Sequence, residues 1–403
     1  MNTICLVMDR LQAGYLGAYG NTWIETPAID RLASQSIVFD QMLVDSPRLE
    51  GLCRSYWQGW HAMHPQPPEG HRSLCELLRE KGVSTALLAD DRAVFSHPLA
   101  VEFDEVLEID PPWQPQEAEH IEDTHLAKCF VEVLDYLETA RQPFLLWCHL
   151  GSLGTTWDAP RKFREFYCEP GDPEPPRTVR VPDLRLSKDH DPDELLGMIQ
   201  AYAGQVSLLD TCVEALLEML DAGPLGENTQ LALVGARGFP LGEHGRLGPG
   251  DEPLYGELVH VPALIRFPDR LAATVRSQAL VEPADLWATL LDCYGLTDPP
   301  PTPTARSLMP LVRGHEVTLR DRLGLAGPSG DRAIRTPAWY LRAGDMPELF
   351  VKPDDRWEVN DVADRAHDVV ERLQAVLDEF EQHVQAGGGE LKPLEPLLVD
   401  GLE

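Results

Sequence analysis

Apolar residues recur along this chain in two rhythms. Short unbroken runs come at 3–8 (TICLVM), 37–39 (IVF), 84–89 (STALLA), 143–149 (PFLLWCH) and 231–234 (LALV). Each is only a few residues long, and most give way to a glycine, an aspartate or a polar loop. That is the pattern of strands buried on both faces, as in a parallel sheet. Between them lie stretches with helical spacing: 27–36, 73–82, 124–139 and the long 198–220. Pro27 after Thr26 suits the first turn of a helix, and Gly82 suits a helix stop. Strands alternating with helices predict an α/β fold with a large, mostly parallel central sheet. Residues 98–123 are acidic, carry Pro111, Pro112 and Pro115, and read as a surface loop, and 169–183 as an exposed excursion. After about Val312 the pattern changes, and 386–403, with three successive glycines and two prolines, reads as a mobile or surface-draped tail.

The 403 residues are 43% hydrophobic, enough for a large core in one big domain or two. Basic residues number 34 and acidic ones 66, a net charge of −32. Such a surface repels polyanions, so nucleic acid is not an expected partner. Eight cysteines include no CxxC pair, and several lie in apolar runs, so they read as reduced thiols of a cytoplasmic protein. The first strand follows Met1 with no basic, cleavable leader between them, and no apolar run reaches 18 residues, so no membrane span is expected.

Ligands of doubly wound sheets gather where strands end. Here the strand ends carry Asp9-Arg10, Asp90-Asp91-Arg92, His149 and Ala236-Arg237. A histidine closing an apolar strand, such as His149, reads as a packed, hydrogen-bonded residue. His61 and His64 precede Pro65 and read as surface residues. No carboxylate and histidine cluster suited to a metal is evident on the strand-end loops.

Several segments together resemble the sulfatases of the alkaline phosphatase superfamily. Tyr15-Leu16-Gly17-Ala18-Tyr19-Gly20, then Thr26-Pro27-Ala28-Ile29-Asp30-Arg31-Leu32-Ala33, match that family's N-terminal frame, and Gly242-Glu243-His244-Gly245 matches a later one. Further matches at 254–255, 261–268, 284–292 and 306–311 carry the resemblance over roughly residues 1–380. It implies a sandwich of helices about the sheet over 1–315, a small C-terminal α+β subdomain over 316–385 with antiparallel hairpins at 332–340 and 347–350, and a helix at 366–384 packed on them.

The resemblance also implies positions for the chemistry, and these are altered. The family's protein metal ligands would fall on Asp9, Arg10, Ala236 and Arg237. Its nucleophile, a formylglycine made from Cys or Ser, would fall on Leu49, or on Glu50 if the alignment slides by one. The Arg, Lys, His, His and Lys that support the sulfate would fall on Cys53, Asp90, Arg92, Gly154 and Pro249. Cys53 lacks the following x-Pro-x-Arg and reads as a structural thiol. Guanidiniums offer no lone pair to a cation, so no metal cofactor is expected. The resulting expectation is a sulfatase-like chain that has lost sulfuric ester hydrolysis. Asp9 would pair with Arg10 or Arg237, or Arg10, Arg92 and Arg237 would hold a small anion such as sulfate or phosphate. A protein partner is a further expectation. The alternatives are a rearranged ester hydrolase using His149 or His244 with Asp9, and a true sulfatase holding calcium or magnesium.

Overall fold

The computed structural model describes residues 1–64 and 66–401. The chain forms two compact units that interleave in sequence. One takes Met1–Val38, Gly82–Gly250 and Val261–Arg276; the other takes Phe39–Lys81, Asp251–His260 and Ser277–Glu403. The stretch 1–315 is divided between these units, and 316–385 lies wholly within the second.

The first unit is built on a sheet of β1 (Asn2–Met8), β2 (Ile37–Leu43), β3 (Ser84–Ala89), β4 (Glu105–Glu108), β5 (Phe144–Leu150), β6 (Thr229–Gly235) and β7 (Ala263–Arg266). The order runs β2-β7-β6-β1-β5-β3-β4, with β2 entering through Ile37 and Val38. Strands β6, β1, β5, β3 and β4 are parallel; β7 is antiparallel to both its neighbours. The central strands β1, β5 and β6 are buried at every position, which is why their sequences read as unbroken apolar runs rather than alternations. Strand β4 is the exception: it lies in the stretch expected to be loop, with exposed ends and a half-buried middle, as an edge strand allows.

Register fixes the location of the chemistry. Met8 pairs with Leu150 and with Gly235, and Ala89 pairs with His149. The C-terminal ends of β1, β5, β6 and β3 are therefore level, and Asp9, Asp90, Gly151 and Ala236 leave the sheet along one edge. The helix Pro192–Ala222, 31 residues capped by the Asp191 side chain, packs into the core through Ala201, Tyr202, Val206 and Leu209. Its Asp210 accepts the N–H groups of Ala28 and Ile29 (3.1 and 2.8 Å), so the helix Pro27–Ser34 is capped from a distant element rather than by Thr26.

The second unit holds an antiparallel sheet, β8 (Leu323–Ala326), β9 (Arg332–Arg335), β10 (Trp339–Ala343) and β11 (Glu348–Val351), in sequential order. The helix His367–Gln385 buries Val369, Leu373, Leu377 and Phe380 in the same core as Ile334, Trp339 and Leu341. The described part of the tail is draped here: the Trp339 indole donates to the Leu397 carbonyl (2.9 Å), and Leu398 is buried.

Candidate functional site

Asp9 follows the last residue of β1 and is buried. Arg237 follows β6 by two residues. Its Nε and Nη2 donate to the two Asp9 carboxylate oxygens at 2.8 and 2.5 Å, a two-point clamp across 228 residues of sequence. Arg10 lies beside the pair, with Nε 3.9 Å from Asp9 Oδ2, and its Nη1 donates to the carbonyls of Gly250 (3.0 Å) and Gly238 (3.4 Å). Burial alone would raise the Asp9 pKa, but the Arg237 and Arg10 charges hold it at about 2, so the carboxylate is ionised. Arg10 sits at φ +64, a left-handed turn fixed by Tyr202, whose hydroxyl donates to the Arg10 carbonyl (2.7 Å) and accepts the Gln12 N–H (3.0 Å).

Gly154 explains how Arg10 fits. A Cβ on Gly154 would lie 2.6 Å from Arg10 Cγ. Any side chain there, including a histidine, would collide with the stem of Arg10, so the missing side chain at 154 and the arginine at 10 belong together.

His149 is buried, with burial lowering its pKa and the Asp9 charge opposing that. It is packed, as expected, but its Nε2 has no hydrogen-bond partner among the described residues. Ala236 is buried and donates its N–H to Met8 O (2.9 Å).

Other expected residues fall elsewhere. Arg92 opens a four-residue helix capped by Asp91 and is exposed. Of the three expected arginines, Arg10 and Arg237 are buried beside Asp9, while Arg92 is exposed. His244 is exposed at φ +48, and Pro249 is half-buried. Leu49 and Cys53 lie in the second unit on the helix Leu49–Gln58, Leu49 at its first position and Cys53 almost wholly buried. His61, expected on the surface, is fully buried there: Nε2 lies 3.1 Å from the Gly324 carbonyl and Nδ1 accepts the Met63 N–H. His64 is half-buried, edge-on to Trp60. A turn closed by its own imidazole drew His61 inward, which a following proline does not reveal.

At the neighbouring strand end, Asp90 lies at the C-terminal end of β3 and meets the start of the helix His125–Thr139. Asp90 Oδ2 is 3.0 Å from His125 Nε2, and Cys129 Sγ is 3.7 Å from that nitrogen and 3.9 Å from that oxygen. Sequence reasoning expected no such cluster. The signal was His125 and Cys129 at i, i+4, one above the other on a helix face; the strand facing them was not readable from spacing.

A sequence profile of sulfatases matches residues 1–296. The chain belongs to the sulfatase family. It is 23% identical to iduronate 2-sulfatase of Homo sapiens, over 86% of this chain and 80% of that protein. Among solved structures it is similar to a phosphonate monoester hydrolase of Agrobacterium radiobacter (TM-score 0.78, 16% identity, covering 95% of this chain and 96% of that one) and to a 2-O GAG sulfatase (TM-score 0.75, 18% identity, 98% and 95%). At these identities the structural likeness speaks for the fold. In this sulfatase-family chain the positions that resemblance assigns to a metal hold one carboxylate closed by two guanidiniums. Calcium and magnesium take oxygen donors, and this set offers Asp9 alone, already bound on both oxygens. The residues present do not fit a hard divalent cation.

Proposed function

We propose that this member of the sulfatase family has given up sulfuric ester hydrolysis and acts by binding, with a buried ion pair standing where the family's metal would bind. The observation that carries the reading is the two-point clamp of Arg237 on Asp9. Fixed positive charge at the end of β6 replaces the charge of a cation, and it joins the loops after β1 and β6 without needing one. Arg10, seated over Gly154, extends the closure to the carbonyls of 238 and 250. Buried pairs of this kind roughly break even in energy while fixing geometry. The partner would be a protein, or a small anion meeting Arg10 and Arg237. The buried Nε2 of His149, without a bonded partner among the described residues, favours the second of these. Buried cysteines such as Cys5, Cys148 and Cys212, outside any disulfide, suit a reducing compartment, so the reading places the chain in the cytoplasm; no described helix is long and apolar enough to cross a membrane.

The test measures calcium and magnesium per chain, follows the thermal melt with EDTA and with added calcium, and assays aryl sulfate hydrolysis. No calcium-dependent shift and no turnover are expected. Stoichiometric calcium whose removal lowers the melting temperature would overturn the reading. A melt raised by sulfate or phosphate, and lost in Arg237→Met, would identify the small anion as the ligand.

A further inference from the structure

We propose that Asp90, His125 and Cys129 form a binding site for a zinc-class divalent transition metal, separate from the Asp9 ion pair and independent of the reading given for it. The three donor atoms are a carboxylate oxygen, an imidazole nitrogen and a thiol sulfur, all on buried residues. Their separations are 3.0 Å (O to N), 3.7 Å (N to S) and 3.9 Å (O to S). Tetrahedral zinc, with bonds of about 2.0 Å to N or O and 2.3 Å to S, spaces its donors by about 3.3 Å between N and O and about 3.6 Å to sulfur. The triangle is therefore within a few tenths of an ångström of the one a metal requires.

The donors are held from behind. The second Asp90 oxygen accepts the Gly151 N–H at 2.5 Å, leaving Oδ2 toward the imidazole. Asp158 accepts the backbone N–H of His125 at 2.7 Å and so anchors the first turn that carries the ring. Such outer contacts are what orient metal ligands.

The arrangement does not suit a nucleophilic triad. There the acid orients one imidazole nitrogen and the nucleophile uses the other, whereas here Asp90 and Cys129 both approach Nε2. It does suit metal binding, in which oxygen, nitrogen and sulfur converge on a common point. Binding displaces two protons, that of the thiol and the one held between His125 Nε2 and Asp90 Oδ2, to solvent or, for the latter, to His125 Nδ1; sulfur is left as thiolate, with no change of oxidation state.

His125 also lines a cavity of about 580 Å³, whose rim carries Asp110, Glu117, Glu119, Asp123 and Asp158 against Lys128. Its negative potential draws cations toward His125, and a zinc held by three protein donors would take a fourth ligand from solvent. Thiolate and imidazole select zinc, cobalt or copper over calcium and magnesium.

The experiment strips the full chain with chelator and titrates it with cobalt(II), a spectroscopic stand-in for zinc. One cobalt per chain is expected, with the intense visible bands of tetrahedral geometry and a near-ultraviolet thiolate-to-cobalt charge-transfer band. Cys129→Ser should remove the charge-transfer band, and Asp90→Asn should weaken binding by about tenfold or more, the scale on which even outer-shell partners act. Zinc should displace the cobalt. A folded wild-type chain that gives no charge-transfer band overturns the proposal, as does a band that survives in Cys129→Ser. Circular dichroism establishes that each variant is folded; should Cys129→Ser not fold, Cys129→Ala takes its place, and the wild-type spectrum decides in either case. Calcium gives no such bands, so failure here and failure of the functional reading are separate results.

Discussion

Two strand ends on one edge of the sheet have treated the same group in opposite ways. After β1, the carboxylate of Asp9 meets two guanidiniums and is closed, each oxygen bonded to an arginine nitrogen. At the end of β3, the carboxylate of Asp90 meets an imidazole and a thiol, groups with lone pairs of their own. Burial is similar in both. The partner decides the outcome: a fixed cation cancels the carboxylate and leaves nothing to offer a metal, whereas an imidazole and a thiol can give up their protons and join it as ligands. The first arrangement is part of the folding energy, and the second gains most of its strength only when an ion arrives.

The sharpest way to break that contrast is to remove the clamp. Arg237→Ala leaves Asp9 charged, buried and short of its partner, and should cost on the order of 3–5 kcal/mol in urea unfolding. Replacing both members, Asp9→Leu with Arg237→Met, should recover most of the loss, because an apolar pair of similar volume is often neutral in such a position. A fully additive loss in the double variant would show that the clamp is not the unit described here.

Acid tests the same pair without mutation. The folded pKa of Asp9 is about 2, below the unfolded value of about 3.9. Its contribution is therefore complete above about pH 4 and is lost as pH falls toward 2, on the order of 2 kcal/mol in all. Unfolding measured in urea from pH 6 to pH 2 should show that slope, and Asp9→Asn should flatten it. A slope unchanged in Asp9→Asn would assign the acid sensitivity to other carboxylates.

Much of this edge was legible in the sequence. Asp9, Arg10, Ala236 and Arg237 stand where apolar runs end, and strand ends of a parallel sheet are level, so four residues far apart in the chain could be placed together. Opposite charges at those positions made an ion pair the natural expectation. Contacts that depend on how a helix faces a strand were not legible. His125 and Cys129 share a helix face, but nothing in their spacing names Asp90 as the residue opposite. Arg92 looked like part of the charge cluster, yet it opens a short helix capped by Asp91 and is exposed, whereas Arg10 and Arg237 are buried. Gly154 looked like a lost histidine, and only the 2.6 Å approach to Arg10 shows it as room made for a new side chain. That pairing is testable. Gly154→Ala should cost about 1–3 kcal/mol by overpacking, and Arg10→Gly, which also suits the left-handed turn at φ +64, should remove most of that penalty in the double variant. A cost for Gly154→Ala that persists without Arg10 would detach the two.

The smallest effect belongs to the open site and is the most discriminating. In metal-free protein, Cys129→Ser replaces a buried thiol whose contacts with Asp90 and His125 are 3.9 and 3.7 Å long. Burial pushes that thiol far up, with Asp90 adding to it, so it stays protonated and no charge is lost in the exchange. A cost within about 1 kcal/mol is expected, the net scale of a single hydrogen bond, against several for Arg237→Ala. Added zinc should then separate the two chains. Wild type gains about 2.7 kcal/mol when free zinc stands at a hundred times its dissociation constant, and Cys129→Ser gains much less, because the oxygen that replaces sulfur is the poorer ligand for a zinc-class ion. Chemical unfolding of both proteins with and without zinc measures all four states. If Cys129→Ser costs as much as Arg237→Ala before any metal is added, the cluster is a closed structural site like its neighbour, and the contrast between the two strand ends is lost.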